Sequence, residues 1–232
     1  DEDFGVGDFI DIKQMVDWCR ATDQNVLQLL PVNDTTLTGT WVDSYPYRAN
    51  SIFALHPMYL RLQEVGRLNS TKRMKYFEEK QAELNALELD YELVNAVKHE
   101  IFAQDFAQTA ATRDYQDFLR HNDYWLRPYS AWSVLRDENH TPDHSRWGMY
   151  SVYDPERVNE FIMSHKAETD YYCFLQYHLD RQLHIARDYA HSAGVVLKGD
   201  IPIGISRHSV DAWCNPELFN MDTSAGAPPD DF

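Results

Sequence analysis

Cysteine is scarce: Cys19, Cys173 and Cys214 are the only three in 232 residues, they lie far apart, and no CxxC pair occurs. That argues against a disulfide framework or a structural zinc site and makes a reducing compartment, the cytoplasm, the simpler expectation. Basic residues are also short, with 21 Lys and Arg against 37 Asp and Glu, leaving a net charge of -16. A chain so acidic repels phosphate backbones and anionic lipid, so neither nucleic acid nor a membrane is an expected partner. No run of about 18 apolar residues exists, and the chain opens on Asp1-Glu2-Asp3, so neither a membrane span nor a signal peptide is visible. Glycine is thin: Gly5, Gly7, Gly199 and Gly204 build neither a GxGxxG turn nor a phosphate loop, which leaves a nucleotide cofactor without support. Metal ligands lack the needed spacing as well. His99-Glu100 is followed by Ala103 where a second histidine of HExxH would stand, and His140 and His144 fall in a proline-containing loop.

What is abundant is aromatic: 13% of the chain, including 14 Tyr and 6 Trp. Rings of this kind fill cores, and they also stack on flat, neutral ligands. The apolar spacing predicts a helix after Asp8 through Phe9, Ile12, Met15, Val16 and Cys19, ending near Thr22, then a buried strand over residues 25–31. Helical patterns follow from about Thr71 to His121 and over Asp114 to Arg136, where Pro128 is expected to separate two helices. Asp154-Pro155 should open another helix, and Glu168 to Ala193 a long one stopped by Gly194. It leads into an apolar strand, Val195 to Leu197, with a further helix expected near Ser209. Helix, strand, helix, strand favours parallel strands wrapped by helices.

Two regions carry candidate chemistry. Residues 31–57 show no periodicity and hold Asn33, Asp34, Trp41, Asp43, Ser44, Tyr45, Pro46 and Tyr47; a connection this long is either functional or simply a solvated loop. Asp200 follows the Val195–Leu197 strand, where barrel enzymes place functional groups, although an acid there can equally be a hydrogen-bond anchor. Asp43, Asp230 and Asp231 lie in loops, where capping or solvation is the alternative to substrate contact. Glycoside chemistry generally needs two acids flanking the scissile bond, and Asp200 has no evident partner of the second kind.

Five segments in order carry a family resemblance: Phe4-Gly5-Val6-Gly7-Asp8-Phe9, Gln28-Leu29-Leu30-Pro31-Val32-Asn33-Asp34-Thr35, Asp43-Ser44-Tyr45-Pro46-Tyr47, Ser51-Ile52-Phe53-Ala54-Leu55-His56-Pro57, and Gly194 to Phe232. Together they resemble 4-alpha-glucanotransferases of glycoside hydrolase family 77, in the plant cytosolic and Bacteroides-type branch. The resemblance implies an α/β fold, a partial (β/α)8 barrel with a large helical insertion between its second and third strands. Residues 1–60 would start the barrel, 61–192 form the insertion and the helix leading to the third strand, and 193–232 supply that strand and a cleft loop. It implies a retaining transfer of α-1,4-glucan segments between maltooligosaccharides or polysaccharides, with no cofactor, and with starch-binding domains as possible upstream neighbours. Tyr47 resembles the tyrosine contacting sugar near the cleavage point, and Asp200 the acid after the third strand. Asp43 and Phe232 join them as candidate substrate contacts, with Ala227 to Phe232 resembling a loop over the acceptor side of the cleft.

One departure bears on activity. The family nucleophile sits in an Arg-x-Asp-His motif, and Thr141-Pro142-Asp143-His144 has Thr141 where the arginine belongs. The nucleophile, the acid/base and the third acid are expected beyond Phe232, so these 232 residues alone should be inactive. The absent initiator Met and the turn-rich ending lead to the same expectation of an excerpt from a larger catalytic domain. The rival reading is a non-catalytic glucan-binding or interaction module built on the residue 41–47 aromatics.

Overall fold

The computed structural model describes residues 2–66, 68, 70–86, 88–105, 112–202 and 204–223. Side chains satisfy free backbone groups at two of its helix starts. The Asp154 carboxylate accepts from Glu156 N and Arg157 N and opens a helix with Pro155 in its first turn, and Ser209 Oγ accepts from Ala212 N at another start. Gly194, at φ +73°, closes the long C-terminal helix in the left-handed conformation that glycine adopts without cost.

Helices dominate the described residues: α1 (Ile12–Ala21), α2 (Thr71–Ala86), α3 (Tyr91–Asp105), α4 (Arg113–Asn139), α5 (Pro155–Ser164), α6 (Lys166–Ser192) and the short α7 (Val210–Cys214). Four short strands accompany them: β1 (Val26–Gln28), β2 (Arg48–Ala49), β3 (Val196–Lys198) and β4 (Gly204–Ile205). Both strand pairs are parallel, the sense that the alternation of elements predicts for β1 and β3. β1 pairs with β3 in the register Val26 to Val196, and β2 with β4 from Arg48 to Gly204. The chain divides into two compact units: residues 1–30, 55–115 and 174–200 form the first, and 31–54, 116–173 and 201–232 the second.

In the first unit, α1 buries Ile12, Val16 and Cys19, as its spacing predicts, whereas Met15 of the same predicted set is exposed. Phe4 meets Phe77 edge-on, with ring centroids 4.8 Å apart. Gly5 stands at φ +77° against α2, where a Cβ would come within 2.8 Å of the Leu84 carbonyl oxygen. Buried Arg61 donates to Asp8 and Asp11, and to Glu2 at 3.2 Å. Asp8 therefore does not cap α1, which starts four residues later; a buried guanidinium needs anionic partners, and this carboxylate is one of them. Burial pushes the Asp8 carboxyl above its ordinary pKa, against the opposing pull of Arg61 and Lys98. Burial likewise lowers the Lys98 ammonium to about 8, while its Nζ donates to the carbonyls of Met58 and Leu60.

The expected burial of the two apolar runs is met only in part: Val195 is buried and Leu27 and Leu197 are half-buried, but Val26 and Val196 are each more than half exposed, and Leu30 is 62% exposed. Val26 and Val196 are register partners, so their exposed side chains stand together on one face of the ribbon.

In the second unit, three tryptophans pack edge to face, Trp132 with Trp147 at 6.2 Å and Trp147 with Trp213 at 5.7 Å. Each indole N–H finds a backbone carbonyl, those of His208, Thr141 and Tyr150 respectively. Trp213 is thus a core residue. Pro128 does not separate two helices but sits inside the continuous α4. The carbonyl it leaves without a donor belongs to Tyr124, a residue 68% exposed, so water can satisfy it.

Candidate functional site

The residue 33–54 segment has little regular structure, yet it is tightly specified by its own polar side chains. Asp34 is fully buried, and its backbone bridges both sides of the loop: its N–H donates to Ala54 O at 2.8 Å, and its carbonyl accepts from Asn50 N at 2.9 Å. Its Oδ1 accepts from Thr36 N at 2.9 Å and Thr36 Oγ1 at 2.7 Å. Its Oδ2 accepts from the Tyr129 hydroxyl of α4 at 2.7 Å.

Asp43, also buried, gathers the next turn. Its Oδ2 accepts from the backbone N–H groups of Leu37, Thr38 and Gly39 at 3.0, 2.8 and 2.7 Å, and its Oδ1 from Thr38 Oγ1 at 3.0 Å. Gly39 at φ +74° lets three successive amides point at one oxygen. Thr35 Oγ1 donates to the Asp43 carbonyl. The carboxylate that reads as a candidate sugar contact thus also holds the loop together, the capping role open for it in the sequence.

That geometry presents rings. Trp41 is 59% exposed and Tyr45 39%, while Tyr47 is half-buried with its ring 5.7 Å from that of Tyr45 and tilted 53° to it. Asp43 and Tyr47 therefore share one loop in the second unit. Asp200 belongs to the first unit, half-buried, two residues past the end of β3. Phe232, with Asp230 and Asp231, lies outside the described residues.

Sequence reasoning predicts α4 only as a helical pattern and misses its polar role. Arg136 donates through Nη1 to Thr36 O and, at 3.2 Å, to Thr36 Oγ1, and through Nη2 to Tyr172 Oη at 3.2 Å. Its guanidinium lies 5.3 Å from the Trp132 ring centroid. The Tyr172 hydroxyl donates to Asp137. Burial works against the Arg136 charge, but Tyr172, Asp137 and Asp34 outweigh it and hold the group firmly protonated. Burial, reinforced by Asp34, pushes the Tyr129 hydroxyl well above its ordinary pKa, so it stays a donor. Residues 129, 132 and 136 recur at helical spacing on one face, the only sequence trace of this arrangement.

Among the described residues, no three His, Cys, Asp or Glu side chains converge as a metal site would require. No helix of the described residues is long and apolar enough to cross a membrane.

The parallel-stranded, helix-rich fold is similar to that of solved amylomaltases. The amylomaltase from Corynebacterium glutamicum superposes with a TM-score of 0.76 at 21% identity, over 99% of this chain and 32% of that one. That from Streptococcus agalactiae, solved in complex with acarbose, gives 0.66 at 22% identity, over 99% and 48%. Sequence narrows this to a family. All residues from 1 to 232 match the glycoside hydrolase family 77 description, 4-alpha-glucanotransferase, and the chain belongs to that family. A 4-alpha-glucanotransferase from Oryza sativa subsp. japonica is 41% identical over 238 residues, spanning 100% of this chain and 25% of the rice protein. One from Chlamydia caviae is 31% identical over 97% of this chain and 43% of its own length. The chain thus spans less than half the length of these relatives.

Proposed function

We propose that this chain is the part of a 4-alpha-glucanotransferase that begins its catalytic barrel and lines the glucan cleft. The enzyme would move α-1,4-glucan segments between maltooligosaccharides or polysaccharides by retaining double displacement. The whole-chain family match carries this reading. Within it, residues 1–60 start a partial (β/α)8 barrel, 61–192 form the helical insertion and the helix leading to the third strand, and 193–232 hold that strand and a cleft loop. β1 and β3 stand as the second and third barrel strands; their direct parallel pairing, across more than 160 residues of intervening chain, supports that order. Tyr47, Asp43, Asp200 and Phe232 are the proposed substrate contacts, with Tyr47 stacking or hydrogen-bonding to sugar. No cofactor is required, the compartment is cytoplasmic, and starch-binding domains are possible upstream neighbours.

The Arg-x-Asp-His nucleophile motif does not occur in these 232 residues. Removing one member of a nucleophile and acid/base unit commonly costs about 10⁴-fold or more in rate. Glucose release from maltotriose should accordingly be undetectable for the 232-residue chain; turnover there would show that the acids lie within it.

The exposed Trp41 and Tyr45 rings favour a second reading, a non-catalytic glucan-binding or interaction module. Calorimetry with maltooligosaccharides separates the two. The enzyme reading expects weak or no binding by the 232 residues alone, whereas tight binding abolished by Tyr47→Ala would establish the module.

A further inference from the structure

We propose that Asp34, Tyr129 and Arg136 are positioning residues for glucan recognition, forming a buried polar brace from α4 that fixes the loop on which Tyr47 is carried. The proposal rests on the reading that Tyr47 touches sugar.

Three observations carry it. First, the brace is buried and closed: Asp34 is fully buried, Tyr129 is 1% exposed, and the Asp34 carboxylate is shared between Tyr129 Oη, from the helix, and Thr36, from the loop. Secondly, it acts at the loop's stem. Asn50 N donates to Asp34 O, and Asn50 Nδ2 to Thr36 O at 3.1 Å, so Asp34 and Thr36 hold the returning strand as well as the outgoing one. Arg136 donates to that same Thr36 carbonyl, adding a charge-assisted bond from the helix. Thirdly, the ring-bearing residues 41–47 lie between these anchors, and Tyr47 is three residues from Asn50. A shift of the stem is therefore delivered to the ring that the cleft uses.

The arrangement has the cost of burying a charge and a carboxylate, and packing alone would be served by apolar residues of similar size. What apolar residues cannot supply is one fixed set of donor and acceptor directions at Thr36 and Asn50, and positioning a ring for a sugar requires that. Preorganisation of this kind matters because displacing a binding group by about 1 Å can cost about 10²-fold in rate.

Two measurements test the brace. In the 232-residue chain, Tyr129→Phe removes one hydroxyl and keeps the ring. Amide exchange at Thr36 and Asn50 should quicken about tenfold, the worth of one lost hydrogen bond to a charged group. The amides of Leu29 and Val196, in the β1–β3 pair, should be unchanged. Unchanged exchange at Thr36 and Asn50, or equal acceleration everywhere, overturns the proposal. In the longer glucanotransferase containing these residues, maltotriose disproportionation is compared for Tyr129→Phe, Arg136→Lys, Arg136→Met and Tyr47→Ala. Tyr129→Phe should lower kcat/KM about tenfold and Arg136→Met more, with Arg136→Lys partly restoring it. In a Tyr47→Ala background, Tyr129→Phe should change kcat/KM less than about twofold, because residues acting through one another are not additive. Additive losses overturn positioning through Tyr47. A wild-type enzyme without transfer activity overturns the glucan reading and the role given to Tyr47, whereas the exchange experiment reads the brace itself.

Discussion

His178 is buried on α6 among Phe102, Phe174 and Tyr177, and among the described residues neither ring nitrogen has a hydrogen-bond partner. Burial, with a smaller contribution from Arg181, lowers its pKa to about 4. An unfolded histidine titrates near 6.5, so between that value and about 4 the unfolded chain takes up a proton that the folded one refuses. Stability is therefore expected to fall as pH drops through this window, by an amount on the order of 3 kcal/mol once below it. Replacing the ring by phenylalanine, His178→Phe, should flatten that acid limb. Urea midpoints at about pH 7 and about pH 5 give the comparison, and a variant as acid-sensitive as the wild type would clear His178 of the effect. Gly5 offers a steric counterpart. Gly5→Ala should destabilise by roughly 2–4 kcal/mol, since the backbone is left-handed and the added methyl meets a helix carbonyl rather than a mobile side chain. Thermal unfolding suffices to detect it. The sequence marks both residues without exposing their situation. Helical spacing places His178 on an apolar face, but the lack of any partner for its ring depends on α3, 76 positions earlier at Phe102. Asp43 behaves in the same way, since its acceptance of three backbone amides depends on a turn that no periodicity encodes.

At the level of elements, two glutamines on α6 do what a strand edge would. Gln176 accepts from Leu55 N and donates to Leu55 O, and Gln182 does the same with Arg61, all four bonds at 2.8 Å. The side-chain amides thereby pair with the backbone amides of Leu55 and Arg61 in a segment whose own bridging is confined to Leu55. Gln182→Leu would leave a buried N–H and C=O at Arg61 unsatisfied, and a loss of about 2–4 kcal/mol is expected, readable as a lower urea midpoint at unchanged slope. A smaller effect would mean that water reaches Arg61. The existence and order of most helices were legible from apolar spacing and caps, because those signals are local: Asp154, Ser209 and Gly194 each stop or start an element within four residues of themselves. Pro128 was not, because its effect depends on whether the bereft carbonyl meets solvent or protein. Arg136 and Tyr129 read as helix-face residues for the same reason, their acceptors lying about a hundred positions earlier at Thr36 and Asp34.

Across the whole molecule, a net charge of -16 works against association, while Val26, Leu30 and Val196 expose apolar surface beside the open backbone of the β1–β3 ribbon. These terms oppose each other and depend differently on pH and salt. Light scattering should rise as pH approaches the isoelectric point near 4.9, and at neutral pH on adding salt, as repulsion is screened. Val26→Lys with Val196→Lys should suppress both increases; persistence of scattering in that variant would place the sticky surface elsewhere. The parallel sense of the strands was readable from the helix and strand alternation, but their exposure was not. Apolar strands look buried in a sequence because the pattern records what could cover them, whether or not the cover is within the same 232 residues.

The tryptophans packed edge to face around Trp147 also make the second unit optically distinct. Five of the six indoles, those of Trp41, Trp125, Trp132, Trp147 and Trp213, belong to it, leaving Trp18, half exposed on α1, as the first unit's lone emitter. Intrinsic fluorescence therefore follows the melting of one unit almost alone, while the far-ultraviolet helical signal samples both. The interval between those two transitions is a direct spectroscopic reading of whether the units unfold together.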